Sequence, residues 1–370
     1  MERKDGQVVE SSNSPSKKIW MRFKKNRLAF AGLVFILLLM LMGILGYLIV
    51  PDQTPYANTI HLQLTNKKPA RSFKFLIISR NPAVEKVGVL ELMLKGQEPD
   101  FKSIPISSYR EEGGKVYARE YIGDDEQAEE QVYPLLADNQ YSQTFWLGTD
   151  VQGRDLFSRL VLGIRVSLSV GLIAVLISLF LGISLGAIAG YFGGRTDAGI
   201  SWFMNVVWSL PSLLLVIAIS FALGKGFWQI FIAVGLSTWV DVARLVRGQV
   251  MSLKEVEFVE ASKALGFPTS RIIIKHILPN IAGPVLVVAS ANFASAILLE
   301  TGLSFLGFGA QPPMPSWGGM IKEHYGYIVM DAAYLALLPG LAIMFTVYAF
   351  NLLAIGLRDA FDVKSQNISV

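Results

Sequence analysis

Cysteine is absent from the 370 residues of this chain, and charged residues are scarce. Without cysteine the chain forms no disulfide, no thiolate metal site and no cysteine nucleophile. Charged residues make up 17% of the sequence, whereas soluble domains usually carry about 25%. The shortage is concentrated in long charge-free blocks. Apolar blocks of about 20 residues match the thickness of a bilayer core, so the pattern predicts a polytopic membrane protein.

Signatures of nucleotide binding and of catalysis are also missing. Lys115 and Lys225 follow glycines but lack the other residues of a phosphate-binding loop. We therefore expect a chain that binds no ATP and no other cofactor of its own. The histidines His61, His276 and His324 share no metal-ligand spacing, which predicts no metal site. No Ser-His-Asp arrangement is visible, so we expect no catalytic residues and no enzyme activity.

Six charge-poor segments are predicted to span the membrane: 28–50, 165–191, 199–223, 227–247, 281–300 and 332–355. The first is too long for the apolar core of a secretion signal, about 7–15 residues, and is interpreted as a retained anchor. Before the second, apolar residues at helical spacing in 155–165 predict a separate amphipathic helix at the membrane interface, with Asp155 as its N-cap. The proline- and glycine-rich segment 301–321 is predicted to be a structured loop.

Basic residues indicate the orientation. They collect in the N-terminal tail, in the loop between the fourth and fifth spans, and at the C-terminus, which six spans place on one side. Short basic loops remain in the cytoplasm, so we expect both termini to be cytoplasmic. The net charge is +4, and much of the basic charge flanks apolar segments. This favours membrane lipid as a partner and argues against nucleic acid.

The predicted organisation has five parts: a cytoplasmic tail 1–27, a first transmembrane helix 28–50, an extracytoplasmic insert 51–146, a transmembrane domain 147–362 and a C-terminal tail 363–370. The insert is rich in charge, and its β-like runs 73–79 and 87–94 predict a mixed or β fold. An acidic patch covers 123–130.

A cytoplasmic loop, 248–280, is predicted to contain two short helices. Ser252 and Glu255 have the spacing of a capping box, and Gly266 followed by Pro268 ends the first helix. The second covers 271–278 and ends near Pro279. Geometry alone favours a plain connector between two spans. A structured loop of this length also suits docking into a cleft of another protein.

Residues in this loop resemble a known motif. Glu260-Ala261-Ser262, followed by Ala264, Gly266 and then Leu278-Pro279, is similar to the EAA motif of ABC importer permeases. Ser262 replaces the usual second alanine, and His276 stands where isoleucine is common. Further segments resemble the dipeptide and oligopeptide permeases, specifically the second, C-type subunit: 147–150, 153–155, 158–159, 190–194, 303–307, 311–313, 317–318, 350–352 and 356–359.

The resemblance implies an all-α polytopic membrane protein with six transmembrane helices of the type I ABC importer permease fold. It implies a peptide-importing permease in a bacterial inner membrane. The partners would be a homologous permease subunit in a heterodimer, two cytoplasmic ATPases that bind the ATP, and an extracytoplasmic substrate-binding protein. The loop residues Glu260 to Pro279 would dock on an ATPase. The insert is longer than the loop usual in that family, so the resemblance says nothing about it.

Four residues within the predicted spans are candidates for lining a pore: Pro211, Asn292, Ser295 and Glu300. Pro211 is expected to kink its helix and free a carbonyl. A carboxylate at the bilayer centre costs about 2.5–3.5 kcal/mol, so we expect Glu300 near the interface or facing a polar cavity. Simple packing is the alternative for each.

Other functions remain open at this point. Permeases resembling this one also serve nickel, glutathione and other small solutes. An ion-gradient secondary transporter would need acidic residues within its spans and paired broken helices, and few such acids and no obvious inverted repeat are present. A membrane-anchored receptor or scaffold would place its function in the insert.

Overall fold

The computed structural model describes residues 15–80, 84, 87–124, 128–136, 139–224 and 226–362. The predicted C-terminal tail 363–370 lies outside the described residues, as do residues 1–14 of the N-terminal tail and 125–127 of the acidic patch. In the described part the helices are α1 (Pro15–Lys25), α2 (Arg27–Ile44), α3 (Gly46–Ile49), α4 (Val89–Lys95), α5 (Leu156–Phe192), α6 (Gly194–Trp208), α7 (Ser212–Leu223), α8 (Phe227–Leu253), α9 (Glu257–Ala264), α10 (Thr269–Arg271), α11 (Leu278–Leu306), α12 (Trp317–His324) and α13 (Tyr334–Phe361).

The long helices form the membrane domain. Among the described residues, α2, α5, α8, α13 and the continuous stretch Thr269–Leu306 are long and apolar enough to cross a bilayer. The bent pair α6 and α7 supplies a sixth span if the two count as one. These helices correspond in order to the six predicted spans.

The third predicted span is broken. Helices α6 and α7 meet at 94°, with Pro211 between them. Proline offers no N–H to the preceding turn and disfavours helical geometry at the residue before it, here Leu210. The predicted span 199–223 therefore consists of two helices, and the kink expected at Pro211 is a full break.

Helix α5 starts earlier than predicted and has no separate interfacial segment. The carboxylate of Asp155 accepts the backbone N–H of Ser158 at 3.0 Å, so Asp155 is the N-cap. Leu156, Val161 and Ile164 are buried in the same core as residues of α11, α12 and α13. The interfacial helix expected at 155–165 was therefore wrong, because its apolar face packs on protein and continues into the span.

Helices α5 and α8 approach each other very closely. Gly182, Gly186 and Gly190 recur every fourth residue and thus share one face of α5. A Cβ added to Gly186 would lie 2.5 Å from the carbonyl oxygen of Ala243 on α8. Small residues at this spacing let helix backbones touch in a membrane. The two helices therefore form a tightly packed pair.

The loop expected at 301–321 is shorter than predicted. Helix α11 continues to Leu306 and ends at Gly307, whose φ of +92° lies in the left-handed region that favours glycine. The loop that follows leads into α12, whose first turn is capped by Ser316.

The insert contains a five-stranded antiparallel sheet in the order β4-β3-β2-β1-β5. Its strands are β1 (Arg71–Arg80), β2 (Phe101–Glu112), β3 (Lys115–Glu120), β4 (Glu130–Pro134) and β5 (Gln140–Phe145). Phe73, Phe75 and Phe145 pack in one core of the insert, and Ile106 and Val116 belong to another.

One of the two predicted strands of the insert was wrong. The run 73–79 lies within β1, whereas most of 87–94 forms helix α4. The apolar residues in that run do not alternate, and Glu91 pairs with Lys95 one helical turn later at 3.2 Å. Such an i,i+4 pair fits a helix and not a strand.

The insert is attached to the membrane domain where α5 and α13 begin. The backbone N–H of Thr149 donates to the carbonyl oxygen of Lys67 at 3.0 Å, and the Lys67 N–H donates back to Thr149 Oγ1 at 2.8 Å. Tyr334 at the start of α13 donates its hydroxyl to the same carbonyl at 2.9 Å. These bonds fix the sheet against the ends of two membrane helices.

Candidate functional site

The candidate site is the segment that follows α8 and ends in the first turn of α11, residues 254–279, hereafter the coupling segment. Its first helix, α9, begins at Glu257 after the extended residue Val256. Glu257 and Glu260 lie in the first turn and Lys263 in the last. Acidic residues near the N-terminus and a basic residue near the C-terminus complement the helix dipole. The expected capping box was wrong, because Ser252 and Leu253 still belong to α8.

Gly266 ends α9 in a left-handed conformation. Its φ is +74°, and a Cβ added there would meet nothing within 4 Å. The Gly266 N–H donates to the carbonyl oxygen of Lys263 at 2.9 Å, and the Phe267 N–H donates to that of Ser262 at 3.2 Å. These bonds close the helix end and turn the chain toward Pro268. Glycine is needed for its backbone conformation, not for space.

The second helix does not stop at Pro279. The chain is helical from Thr269 to Leu306, including a π-helical stretch at Ile272–Ile277. Leu278 and Pro279 lie where the π-helical stretch passes into α11, and Pro279 offers no N–H to the preceding turn. The expected end near Pro279 was therefore wrong, and the coupling segment runs directly into a span.

The inner face of α9 packs on the ends of the membrane helices. Val259 is fully buried in a core that includes Val250 of α8 and Ile272 and Ile277 of the stretch leading into α11. Ser262 is also buried, and its hydroxyl donates to the carbonyl oxygen of Phe258 at 2.8 Å. A small side chain with an internal hydrogen bond therefore suits this position.

The outer face of α9 is uncovered. Glu260, Ala261, Ala264 and Gly266 are exposed, and 73% of the Leu265 side chain is accessible. No ion pair reaches Glu260 among the described residues. Small and apolar side chains beside the carboxylates of Glu257 and Glu260 make a surface suited to a complementary cleft.

An aromatic contact stiffens the turn after α9. Phe267 lies flat against His276, with ring centroids 6.0 Å apart and an interplanar angle of 7°. The guanidinium of Arg271 lies 4.2 Å from the centre of the Phe267 ring. His276, the residue that departs from the generic motif, therefore helps to hold the turn.

The chain matches known transport families along most of its length. Residues 182–366 match the family described as "Binding-protein-dependent transport system inner membrane component". Residues 14–69 match the "N-terminal TM domain of oligopeptide transport permease C". The chain belongs to this family of ABC importer permeases. It is accordingly a multi-pass protein of the inner membrane and a subunit of a transporter, which removes the secondary transporter and the receptor from consideration.

Three relatives add to this match, and one of them also covers the insert. The dipeptide permease DppC of Alkalihalophilus pseudofirmus is 43% identical over 63% of this permease and 81% of its own chain. The glutathione permease GsiD of Pectobacterium atrosepticum is 41% identical over 60% and 74%. The dipeptide permease DppC of Bacillus subtilis is 33% identical over 98% and 90%. That last alignment runs through the insert, for which the motifs had offered no relative.

The expected fold class is confirmed for the permease: an all-α membrane domain of the type I importer class with a strand-rich insert. The domain limits given above remain a prediction.

The four pore candidates occupy different surroundings. Pro211, at the break between α6 and α7, and Ser295 on α11 are both exposed. Asn292 is buried and donates from Nδ2 to the carbonyl oxygen of Thr238 at 3.2 Å and to Ser178 Oγ at 3.4 Å. Asn292 thus links α11 to α8 and α5. Pore lining stays a prediction for all four residues.

Glu300 is fully buried inside the permease. Its Oε1 accepts a hydrogen bond from Ser304 Oγ at 2.6 Å, and Ser304 Oγ lies 3.3 Å from Ser316 Oγ. Its Oε2 has no hydrogen-bond partner among the described residues. Glu300 therefore faces a hydroxyl cluster between α11 and the start of α12.

A buried ionic cluster joins α5 to α12, and the motif comparison did not assign it a role. Arg154 donates from Nε to Asp150 at 2.6 Å and from Nη2 to Glu323 at 2.8 Å, and Arg159 lies 3.6 Å from Asp150. Asp150, Glu323 and His324 bring possible metal ligands within 4.8 Å of one another. Arg154 and Arg159 both face the carboxylates of Asp150 and Glu323, so two positive and two negative groups balance within the chain. In the sequence, these charges were noted only as part of the family-like segments 147–150, 153–155 and 158–159.

Proposed function

We propose that this permease is one half of the membrane pathway of a peptide importer, and that α9 is the element that docks on a cytoplasmic ATPase. The observation that carries the proposal is the contrast between the two faces of α9, one buried and the other exposed. Val259 on its inner face is fixed to the bases of α8 and α11, while Ala261 and Leu265 face outward and uncovered. A force applied to the outer face would therefore reach two spans.

The proposal includes the wider assembly. The other half would be a homologous permease in a heterodimer, with two ATPases on the side of α9 and a substrate-binding protein on the side of the insert. Both termini and α9 would be cytoplasmic, as the basic residues around them suggest. This chain would hydrolyse no ATP and bind no cofactor, since it lacks a phosphate-binding loop.

The energy that the coupling must transmit can be estimated. Reversing a 1:99 population of inward- and outward-facing states takes about 5.5 kcal/mol of differential binding energy. A helix end anchored by packing and by the Phe267–His276 stack can transmit such a load. An exposed ion pair at Glu260 would add only about 0–1 kcal/mol. The apolar and small residues of the outer face must therefore supply most of the docking energy.

The test reverses one charge on each side of the membrane. Glu260→Lys should lower uptake per ATP hydrolysed by up to about fivefold, the equivalent of about 1 kcal/mol, at unchanged amounts of permease in the membrane. Glu129→Lys, at an exposed position of the insert, is the matched control and should leave the ratio unaltered. Equal ratios in both variants and the parent would refute a contribution of Glu260 to docking.

Peptides are the proposed cargo because the relatives at 43% and 33% identity are dipeptide permeases. The glutathione permease at 41% identity makes glutathione the second candidate. Labelled dipeptide and labelled glutathione should be compared for uptake in a deletion strain complemented with this chain. Restored dipeptide uptake that excess glutathione does not inhibit supports peptides, whereas restored glutathione uptake alone reverses the assignment.

A further inference from the structure

Helix α4 of the insert presents an apolar face that nothing in the described chain covers. Val89, Leu90 and Leu94 are 67%, 75% and 68% exposed. At 100° per residue these three side chains fall on one half of the helix, and the Glu91–Lys95 pair falls on the other. The helix is thus amphipathic, with its apolar half turned outward.

Arg165 fixes α4 at the end of the first span. Its guanidinium donates to the carbonyl oxygens of Gly43 at 2.5 Å and Ile44 at 2.9 Å, at the C-terminus of α2. The same group donates to those of Met93 at 2.5 Å and Leu94 at 3.3 Å, at the C-terminus of α4. The last carbonyls of a helix have no partner within it, and a cation there also complements the dipole. One side chain therefore holds both helix ends at the same level.

Tyr47 and Gly96 close the same junction. The Arg165 guanidinium lies 4.7 Å from the centre of the Tyr47 ring. A Cβ on Gly96, which ends α4 with a φ of +76°, would lie 2.7 Å from that ring. The Gln97 N–H then donates to the carbonyl oxygen of Gln53 at 2.8 Å, just beyond the first span. The position of α4 is set by close contacts and not by a flexible tether.

The apolar surface of α4 continues that of the first span. Leu41 and Ile44 on α2, and Leu48 and Ile49 on α3, are exposed apolar residues. In a membrane-spanning helix such residues face acyl chains. Since Arg165 places the end of α4 beside Ile44, the faces of both helices belong to one surface at the edge of the bilayer.

We propose that α4 lies in the membrane interface on the insert's side, with Val89, Leu90 and Leu94 among the lipid acyl chains. Glu91 and Lys95 would remain with the headgroups and water, as is usual for interfacial amphipathic helices. The insert would then be held to the bilayer surface by lipid contact in addition to its bonds with α5 and α13. This inference concerns lipid contact alone and does not depend on which solute is transported.

The absence of cysteine permits a direct test. Single spin labels are attached to Leu90→Cys and Leu94→Cys in the full permease, co-purified with its transport partners and reconstituted in phospholipid nanodiscs. Ser108→Cys, at an exposed position of β2, is the aqueous control. Collision rates with oxygen, which concentrates in lipid, and with a water-soluble nickel chelate are measured by power saturation. The logarithm of their ratio should be positive at 90 and 94 and negative at 108.

Two results would overturn the proposal. A negative ratio at 90 and 94 would place the helix in water. Low collision rates with both reagents would mean that a protein, such as the second permease or a binding protein, covers this face.

Arg165→Lys tests the junction independently. Lysine keeps the charge but cannot reach four carbonyls with a planar fork. The label at 94 should gain mobility and exposure to the nickel chelate, while the label at 108 should keep its spectrum. An unchanged label at 94 would show that Arg165 does not position α4.

Discussion

The coupling segment and the insert lie at opposite ends of α5, and they differ in how much of their surface is buried. The insert has cores of its own around Phe75 and Val116, and it bonds to the membrane domain through Thr149. In α9, the first helix of the coupling segment, only Val259 and Ser262 are buried. Helix α9 thus leaves most of its surface open, whereas the insert buries apolar cores of its own.

The largest effect is expected from a substitution in α5, the helix that connects the two regions. Gly186→Leu on α5 should separate α5 from α8, because a Cβ there already meets the backbone of Ala243. Overpacking costs about 1–3 kcal/mol and more where backbone must move. We expect a large fall in melting temperature and in the yield of assembled permease. Gly199→Leu on α6, where a Cβ meets nothing within 4 Å, is the control and should fold normally.

One glycine in each region allows the effect of the same substitution on uptake to be compared. Gly266 and Gly113, in the turn between β2 and β3, both have positive φ and open space around them. Replacing either glycine by aspartate costs at most about 1–2 kcal/mol of backbone strain. Gly266→Asp should reduce uptake about tenfold, which corresponds to about 1.4 kcal/mol, because it also puts a charge on the docking face. Gly113→Asp should leave uptake within about twofold, a difference below 0.5 kcal/mol. Similar uptake by both variants would contradict the contrast.

The third prediction concerns the attachment of the insert. Thr149→Val removes the acceptor of the Lys67 N–H and leaves buried polar groups without partners, at a cost of about 1–3 kcal/mol. Proteolysis within the insert should become faster while the helical far-UV signal is kept. Thr144→Val removes only the exposed bond to Ser72 and should have little effect on the cleavage rate. Equal cleavage rates would show that these bonds do not hold the insert.

The smallest effect expected is a pH dependence at Asp155. Burial, partly offset by hydrogen bonds from Ser158, raises the pKa of this carboxyl to about 6 from 3.8. The raised value means that the contribution of Asp155 to stability is complete below pH 3.8 and is lost as pH rises through about 6. Asp155→Asn keeps an N-cap side chain and should flatten the change in melting temperature over that window. An unaltered pH profile would assign the dependence to other groups.

Sequence patterns predicted the membrane domain well and the insert poorly, for physical reasons. Apolar blocks report burial in lipid directly, so six spans could be placed, and the EAA-like residues located α9. The bend at Pro211 was visible in sequence but its size was not, because a proline can kink or break a helix depending on tertiary packing. The α4 region was read as a strand because its short apolar run carries no decisive period.

The contacts at the site were harder to predict than its location. No local pattern shows that Val259 faces inward and Ala261 outward, since that depends on where α8 and α11 bring their ends. The salt bridges of Arg154 and the polar junction of Asn292 likewise join residues far apart in sequence. The buried charges of 150–159 appeared only as a family motif, without a partner on α12.

Site-specific cross-linking from α9 tests directly whether this helix docks on an ATPase. Single cysteines are placed at Ala261, on the outer face, and at Ser108 in the insert, in the permease co-expressed with its transport partners. A cysteine-directed photo-cross-linker at 261 should capture an ATPase subunit, with a yield that changes when ATP is added, and the same reagent at 108 should not. Capture of no ATPase from 261, or equal capture from both positions, would contradict the docking role of α9.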